Sequence, residues 1–418
     1  MSQFPINYYK IDITLVSPLS VGSGENVYTD HDIILDSRSL PRIPATALCG
    51  VLRSFFEPKS ANALFGELNG NQSAIRVYDA QCTSENAESF ISVRDSVKLQ
   101  KKVAVEGAKF DAQVVNHGVE FTAFAELLDV SFDAQLMAAF AAMNSGLLRF
   151  GQKTTRGYDQ VALKVYKKEI KTVEDYLAFE MFTDEAWKGI DSESLDKGAA
   201  TQFQLNVALD IKGGISIREY STEVGMPDYS MLTLKGTDEQ RRKAVIPGTS
   251  WAGAFRTRFT ELVGPEEARA LFGDVYQTKD EKGNKVTVAL KSKIIFGESE
   301  LEDGEFKNIT RNAIDRFSAG TREGALYTER THYFGSTHLC ITLDAGVSDT
   351  ALKALAICLW DLHHGFLAVG GLTAVGRGVF EIRNVFGKDK ELTDCVIGKS
   401  PQTDAFVKLV KGDEENDA

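Results

Sequence analysis

The chain has 418 residues, 43% of them hydrophobic and 25% charged, and a formal net charge of −12. This is an ordinary globular composition, long enough for two domains of about 150–200 residues each. No stretch reaches the roughly 18 uninterrupted apolar residues that a bilayer requires, and the net charge has the wrong sign for a surface that binds nucleic acid over its whole extent. The five cysteines, Cys49, Cys82, Cys340, Cys358 and Cys395, are odd in number and scattered without a C-x-x-C pair. That argues against a disulfide framework or a structural zinc. Met1-Ser2-Gln3-Phe4-Pro5 carries no basic region leading into an apolar one, so a cytoplasmic protein with no membrane partner is expected.

Residues 8–16 alternate, with Tyr9, Ile11, Ile13 and Leu15 on one face, which predicts a half-buried strand. A Gly/Ser segment, Ser17 to Gly24, leads to the acidic group Asp30-His31-Asp32 and then Ile33-Ile34-Leu35, where a second strand begins. Ile43-Pro44-Ala45-Thr46 enters a helix over 46–57 in which Thr46 offers a hydroxyl cap, Gly50 lies within the helix and Arg53 follows one turn later on the same face. A bare helix N-terminus with an Arg nearby is an anion site. The interior glycine predicts that another backbone passes close by.

Ala63-Leu64-Phe65-Gly66-Glu67 comes next, then a strand near 75–78, a long excursion over 94–121 and a helix over 131–148. The block closes with Phe150-Gly151-Gln152-Lys153-Thr154-Thr155-Arg156-Gly157 and a strand carrying Val161, Leu163 and Val165.

After a polar connector over 167–200, with a helix at 173–182, the same order returns. A strand at 203–211 precedes Asp228-Tyr229-Ser230-Met231-Leu232, and Ile246-Pro247-Gly248-Thr249-Ser250 enters a helix at 249–262 holding Gly253 and Arg256. Five residues of this entry stand 203 positions from their counterparts in the first copy. Ala270 to Asp274 answers Ala63 to Glu67, an excursion spans 311–338, a helix follows at 349–364, and Gly370 to Gly378, including Arg377, precedes the last strand. Arg94, Glu106-Gly107-Ala108 and Gly118 match Arg311, Glu323-Gly324-Ala325 and Gly335 at a constant offset of 217. These blocks predict an α+β protein that duplicates one β-α-β-β-α-β unit in tandem, each copy a ferredoxin-like, RNA-recognition-like sheet with a long insertion. The predicted boundaries are 1–166, a connector 167–200, 201–390, and a C-terminal extension 391–418 ending in a disordered acidic tail at Asp413 to Asp417.

The ordered set of strand and Gly loop, Ile-Pro helix entry, Ala-Leu-Phe-Gly segment, Glu-Gly-Ala excursion and Gly-rich closing loop, present twice, resembles the RAMP superfamily, specifically the backbone subunits of type III CRISPR effector complexes. The resemblance covers about 8–166 and 203–384. It implies a protein that lies along a guide RNA among other effector subunits and holds a complementary target RNA, with base pairing supplying sequence specificity. Carried onto this chain, it points to Thr46, Arg53, Lys153, Arg156, Thr249, Ser250, Arg256 and Arg377 as contacts to the RNA backbone, and to the two excursions as thumb hairpins.

Active members of the family cut target RNA with an Asp ahead of the Ile-Pro helix, followed closely by aliphatic residues. Asp30 and Asp228 fit that context, with Asp32 as the register alternative and His31 as an adjacent candidate base. A loop carboxylate suits cleavage assisted by Mg²⁺ or Mn²⁺, with the metal on Asp30 and Asp228. Two other readings stand beside this one: a purely structural backbone subunit, and a metal-independent endonuclease that processes the guide. The latter lacks a convincing His/Lys/Tyr cluster among His31, His117, His332, His338, His363 and His364 and their neighbours.

Overall fold

In the computed structural model the chain divides into two units. One comprises Met1–Thr154, Tyr158–Ala200 and Lys235–Glu239, the other Thr155–Gly157, Thr201–Leu234 and Gln240–Ala418. The structure describes residues 4–24, 28–68, 70, 72–100, 103–150, 157–195, 202–220, 225–235, 242–279, 285–387 and 390–412. Lys153, Arg156 and the acidic tail lie outside the described residues.

In the first unit the strand Ile6–Leu15 occupies the centre of an antiparallel sheet, because its alternate residues Tyr9, Ile11, Ile13 and Leu15 are all sealed from water. It pairs with Glu120–Leu127 on one side and Val161–Ile170 on the other, with Ile11 opposite Ala123 and Val165. The short strands Ile75–Val77 and Ala80–Cys82 both pair with Glu120–Leu127. Taken by role, the strands run second, third, first, fourth across the sheet, as a β-α-β-β-α-β ferredoxin-like unit requires. Helices Ala45–Arg53 and Asp133–Asn144 bury Leu48, Leu52, Leu136 and Phe140 against one face.

The second unit repeats this plan. Gln202–Lys212 is central, flanked by Ser336–Asp344 and Val379–Gly387, while Ile294–Phe296 and Ser299–Glu302 both pair with Ser336–Asp344. Helices Gly248–Val263 and Asp349–His363 cover one face. Ser348 caps the latter by accepting from the Ala351 amide at 3.1 Å. Thr393–Ile397 and Thr403–Lys411 add Cys395, Phe406 and Val410 to the same core.

Several expectations change. The helix predicted over 46–57 ends at Arg53, and a second helix that was not predicted, Pro58–Phe65, follows, because a proline is preorganised for a first helical turn and turns the residue before it away from helix. In the second unit Gly264, at φ +88°, ends the helix before Pro265–Phe272 begins. The helix predicted at 173–182 is Val173–Ala178. Phe179, Phe182 and Trp187 pack on Tyr8, Phe124 and Tyr78, covering the face of the first sheet opposite the helices.

Both excursions contain hairpins. Ile91–Gln100 pairs with Val103–Val115, and Glu305–Arg311 pairs with Tyr327–Tyr333. The second hairpin joins Gly214–Ile215, Arg218–Tyr220 and Tyr229–Met231 in a small sheet of its own. A further hairpin, Asp274–Lys279 with Lys285–Leu290, has no counterpart in the sequence reading. Among the described residues no helix is long and apolar enough to cross a membrane.

Candidate functional site

The loop bearing Asp30 is shaped by Asp32. The Asp32 carboxylate is buried and accepts from the Thr29 amide at 2.9 Å, the Thr29 hydroxyl at 2.8 Å and the Tyr28 amide at 3.0 Å. A buried carboxylate satisfied by three donors closes a turn, so Asp32 is a structural residue and the register alternative loses its support. Asp30 is exposed, and its Oδ2 accepts from the Asp111 amide at 3.0 Å, while the Asp30 amide donates to Asp111 Oδ1 at 2.8 Å. His31 packs edge-on against Phe110 at 6.1 Å, and its carbonyl accepts from the Gln113 amide at 2.9 Å. Asp111, Phe110 and Gln113 all lie on the second strand of the hairpin.

The second unit holds Asp228 in the same manner. Its Oδ2 accepts from the Thr328 amide at 2.7 Å, on the hairpin strand Tyr327–Tyr333. Thr328 stands 217 positions after Asp111, the offset that relates the two hairpins. Tyr229 packs edge-on against Tyr327 at 5.9 Å, and the Arg218 guanidinium lies 4.6 Å over the Tyr229 ring. The sequence reading missed Asp111, Phe110, Thr328 and Tyr327. The constant offset between the hairpins was the signal that could have found them.

The residues expected to meet RNA fall into different surroundings. The first helix is not bare at its N-terminus: Asp79 accepts from the Ala45 amide at 2.7 Å and pairs with Arg42 at 2.7 Å, so the favourable anion is already internal. The cap positions are Pro44 and Pro247, with no side-chain cap, so neither Thr46 nor Thr249 or Ser250 caps its helix. Thr46 is exposed on the first turn, and Thr249 and Ser250 are half-buried.

Arg53 turns inward. It donates to the carbonyls of Gly66 at 2.9 Å and Ala61 at 3.3 Å and to the Asn62 side chain, bracing one helix to the next. Arg256 approaches Asp274, which stands where Glu67 does in the first copy, at 3.7 Å. Arg377 is buried and paired with Glu329 at 2.6 Å. A guanidinium so engaged does not face a phosphate, and its assignment as an RNA contact is corrected accordingly. Gly50 and Gly253 are exposed, and a Cβ on either would meet nothing within 4 Å. The close backbone expected there is therefore absent from the described chain, and both helices present an open notch.

Among the described residues no three or more His, Cys, Asp or Glu gather as a metal cluster. The loops offer a cation a lone carboxylate, Asp228, or the Asp30–Asp111 pair. Mg²⁺ commonly takes one or two protein carboxylates and completes its shell with waters and substrate phosphates, and the donor set fits that open kind of site. His332 is buried and held below the ordinary histidine range by desolvation. His363 ends its helix, and desolvation followed by the neighbouring His364 lowers it as well.

A duplicated ferredoxin-like unit with an inserted hairpin and an acidic loop seated on it defines the class. The RAMP superfamily profile matches residues 12–158 and 232–381, and the chain belongs to that superfamily. Among solved structures it is similar to a chain described as "Cryo-EM structure of the Type III-B Cmr-beta bound to cognate target RNA", at 20% identity and a TM-score of 0.33. The similarity covers 40% of this chain and 61% of that one, so this chain spans less than two thirds of the structure it matches. No curated protein matches the sequence.

Proposed function

We propose that the chain is a two-unit backbone subunit of a type III CRISPR effector complex, binding guide RNA and cleaving complementary target RNA once per unit. The observation that carries this reading is the repetition at Asp30 and Asp228. Each is an exposed loop carboxylate ahead of an Ile-Pro helix, and each accepts from the equivalent amide of an inserted hairpin, at 3.0 and 2.7 Å. Asp32, by contrast, is buried and satisfied by three donors. Asp30 and Asp228 are exposed and tied to a hairpin, which supports their reading as cleaving groups.

Mg²⁺ or Mn²⁺ held by Asp30 and Asp228 would offset charge on the scissile phosphate. On this reading each carboxylate would anchor a cation in its own unit, and the hairpins would hold the guide–target duplex with the target's 2′-hydroxyl in line for attack. The exposed helix notches at Gly50 and Gly253, beside Thr46 and Thr249, suit close approach of a sugar-phosphate backbone.

The test is cleavage of guide-complementary RNA by the reconstituted complex, with Mg²⁺ and with EDTA, for wild type, Asp30→Ala and Asp228→Ala. Each substitution is expected to remove one product and leave RNA binding intact, and EDTA to remove both. Unchanged product patterns in all variants would make this chain a scaffold, with cutting assigned to a neighbouring subunit.

A further inference from the structure

The residue after each candidate aspartate is aromatic, and it meets the aromatic residue that precedes the amide on which that aspartate is bonded. His31 and Phe110 pack with centroids 6.1 Å apart and planes at 79°, and Tyr229 and Tyr327 with centroids 5.9 Å apart and planes at 71°. Phe110 and Tyr327 are again related by the offset of 217. Each loop thus touches its hairpin at two successive residues, through a carboxylate–amide hydrogen bond and then an edge-to-face ring pair. In the first unit the Gln113 amide donates to the His31 carbonyl, and in the second Tyr229 pairs with Glu329 in a parallel ladder. The backbone partners differ while the two side-chain contacts are the same.

The carboxylate–amide bond ties each exposed loop to its hairpin at the aspartate. The ring contact at the next residue adds a side-chain anchor common to both units, which orients the loop against the hairpin strand. We propose that Phe110 and Tyr327 are positioning residues, each acting through the ring of His31 or Tyr229 to hold the preceding carboxylate for cleavage. This rests on the reading of Asp30 and Asp228 as the cleaving groups. A consequence is that the hairpin and the carboxylate move together, so a badly seated hairpin withdraws the cleaving group from its target.

The experiment is product-resolved, single-turnover cleavage by the reconstituted complex at saturating target RNA. The variants are Phe110→Ala, Phe110→Leu, Tyr327→Ala and Tyr327→Leu, run beside Asp30→Ala and Asp228→Ala. The Leu variants keep apolar bulk and so protect the fold. The rings are restored by Phe110→Tyr and Tyr327→Phe, each borrowing the other unit's residue. The Phe110 variants are expected to slow, by roughly 10- to 100-fold, only the product that Asp30→Ala abolishes, and the Tyr327 variants only the Asp228 product. Saturating target keeps any change in affinity out of the rate, and the ring-restoring variants should recover that rate. The second product in the same complex reports that the chain has folded and assembled. Wild-type rates in the Ala and Leu variants, with the Asp variants still inactive at their own products, would overturn this inference alone. Equal slowing of both products would overturn it too, since that marks a general structural role. Full cleavage in the Asp variants would overturn the functional reading and the inference with it.

Discussion

The Arg377 guanidinium closes on the Glu329 carboxylate at 2.6 Å, with side chains 4% and 2% exposed. Arg311 reaches the same oxygen at 3.2 Å from the opposite hairpin strand. The pair joins the Gly-rich closing loop to the strand whose Thr328 amide holds Asp228. Removing Glu329 leaves the buried Arg377 charge without its carboxylate, so Glu329→Ala is expected to cost about 3–5 kcal/mol. Urea unfolding will measure this, and the double variant Glu329→Gln with Arg377→Met should recover most of the loss. Undiminished stability in Arg377→Ala, together with weaker RNA binding, would return Arg377 to the RNA surface.

Arg53 and Arg256 occupy equivalent helix positions but have unequal partners. Arg53 makes charge-assisted bonds to two carbonyls and Asn62, whereas Arg256 has a 3.7 Å approach to a carboxylate. Arg53→Ala should therefore lower stability by about 1.5–3 kcal/mol, and Arg256→Ala by about 0–1 kcal/mol. Thermal unfolding of the two single variants makes the comparison.

Gly50 and Gly253 sit in helices with space around them. Alanine at either position should stabilise the isolated chain by about 0.5–1 kcal/mol, because the unfolded state loses freedom and nothing in the fold is displaced. The same variants should weaken guide binding if the notch receives the RNA backbone. Calorimetry on the chain and RNA titration of the complex measure the two effects separately.

Asp228→Asn keeps an oxygen that can accept from the Thr328 amide but removes the charge. The fold and RNA affinity should be unaltered, while the matching product falls by roughly 100-fold or more, a scale typical of a positioned catalytic group. Normal cutting by the Asn variant would show that the oxygen is structural.

Stability should also depend on pH through His332 and His363, both held below the ordinary histidine value by burial. Between the folded value and the unfolded value of about 6.5 the unfolded chain binds more protons. Their contribution is therefore complete above that range and is lost as pH falls through it. The melting temperature should drop on acidification from pH 7, and His332→Phe, which keeps the edge contact with Phe306, should flatten the drop.

Much of this architecture is legible in residue order. Tyr9, Ile11, Ile13 and Leu15 announce a strand with one buried face, and the two copies of the Ile-Pro entry announce a duplication that the two sheets bear out. The hairpins are legible only in part: the offset of 217 finds them, but their pairing with the acidic loops is a contact across 81 positions in one unit and 100 in the other. The packing of the connector's aromatics was not legible, because Phe179, Phe182 and Trp187 are spread among acidic residues and only the sheet face beneath them, through Tyr8 and Phe124, brings them together.

What the sequence determined by itself is what is periodic or repeated: the central strands, the two Ile-Pro entries, the two-unit plan and the family. Those signals are carried by near neighbours and by spacing along the chain. Tertiary structure alone decided which way each polar side chain faces. Arg53 and Arg377 turn inward, Asp79 fills a helix N-terminus, and Asp32 closes a turn beside an exposed Asp30, because each answers to a partner that the fold brings near from elsewhere in the chain or the loop. Electrostatic and hydrogen-bond partners are chosen by distance in space, and residue type alone does not specify it.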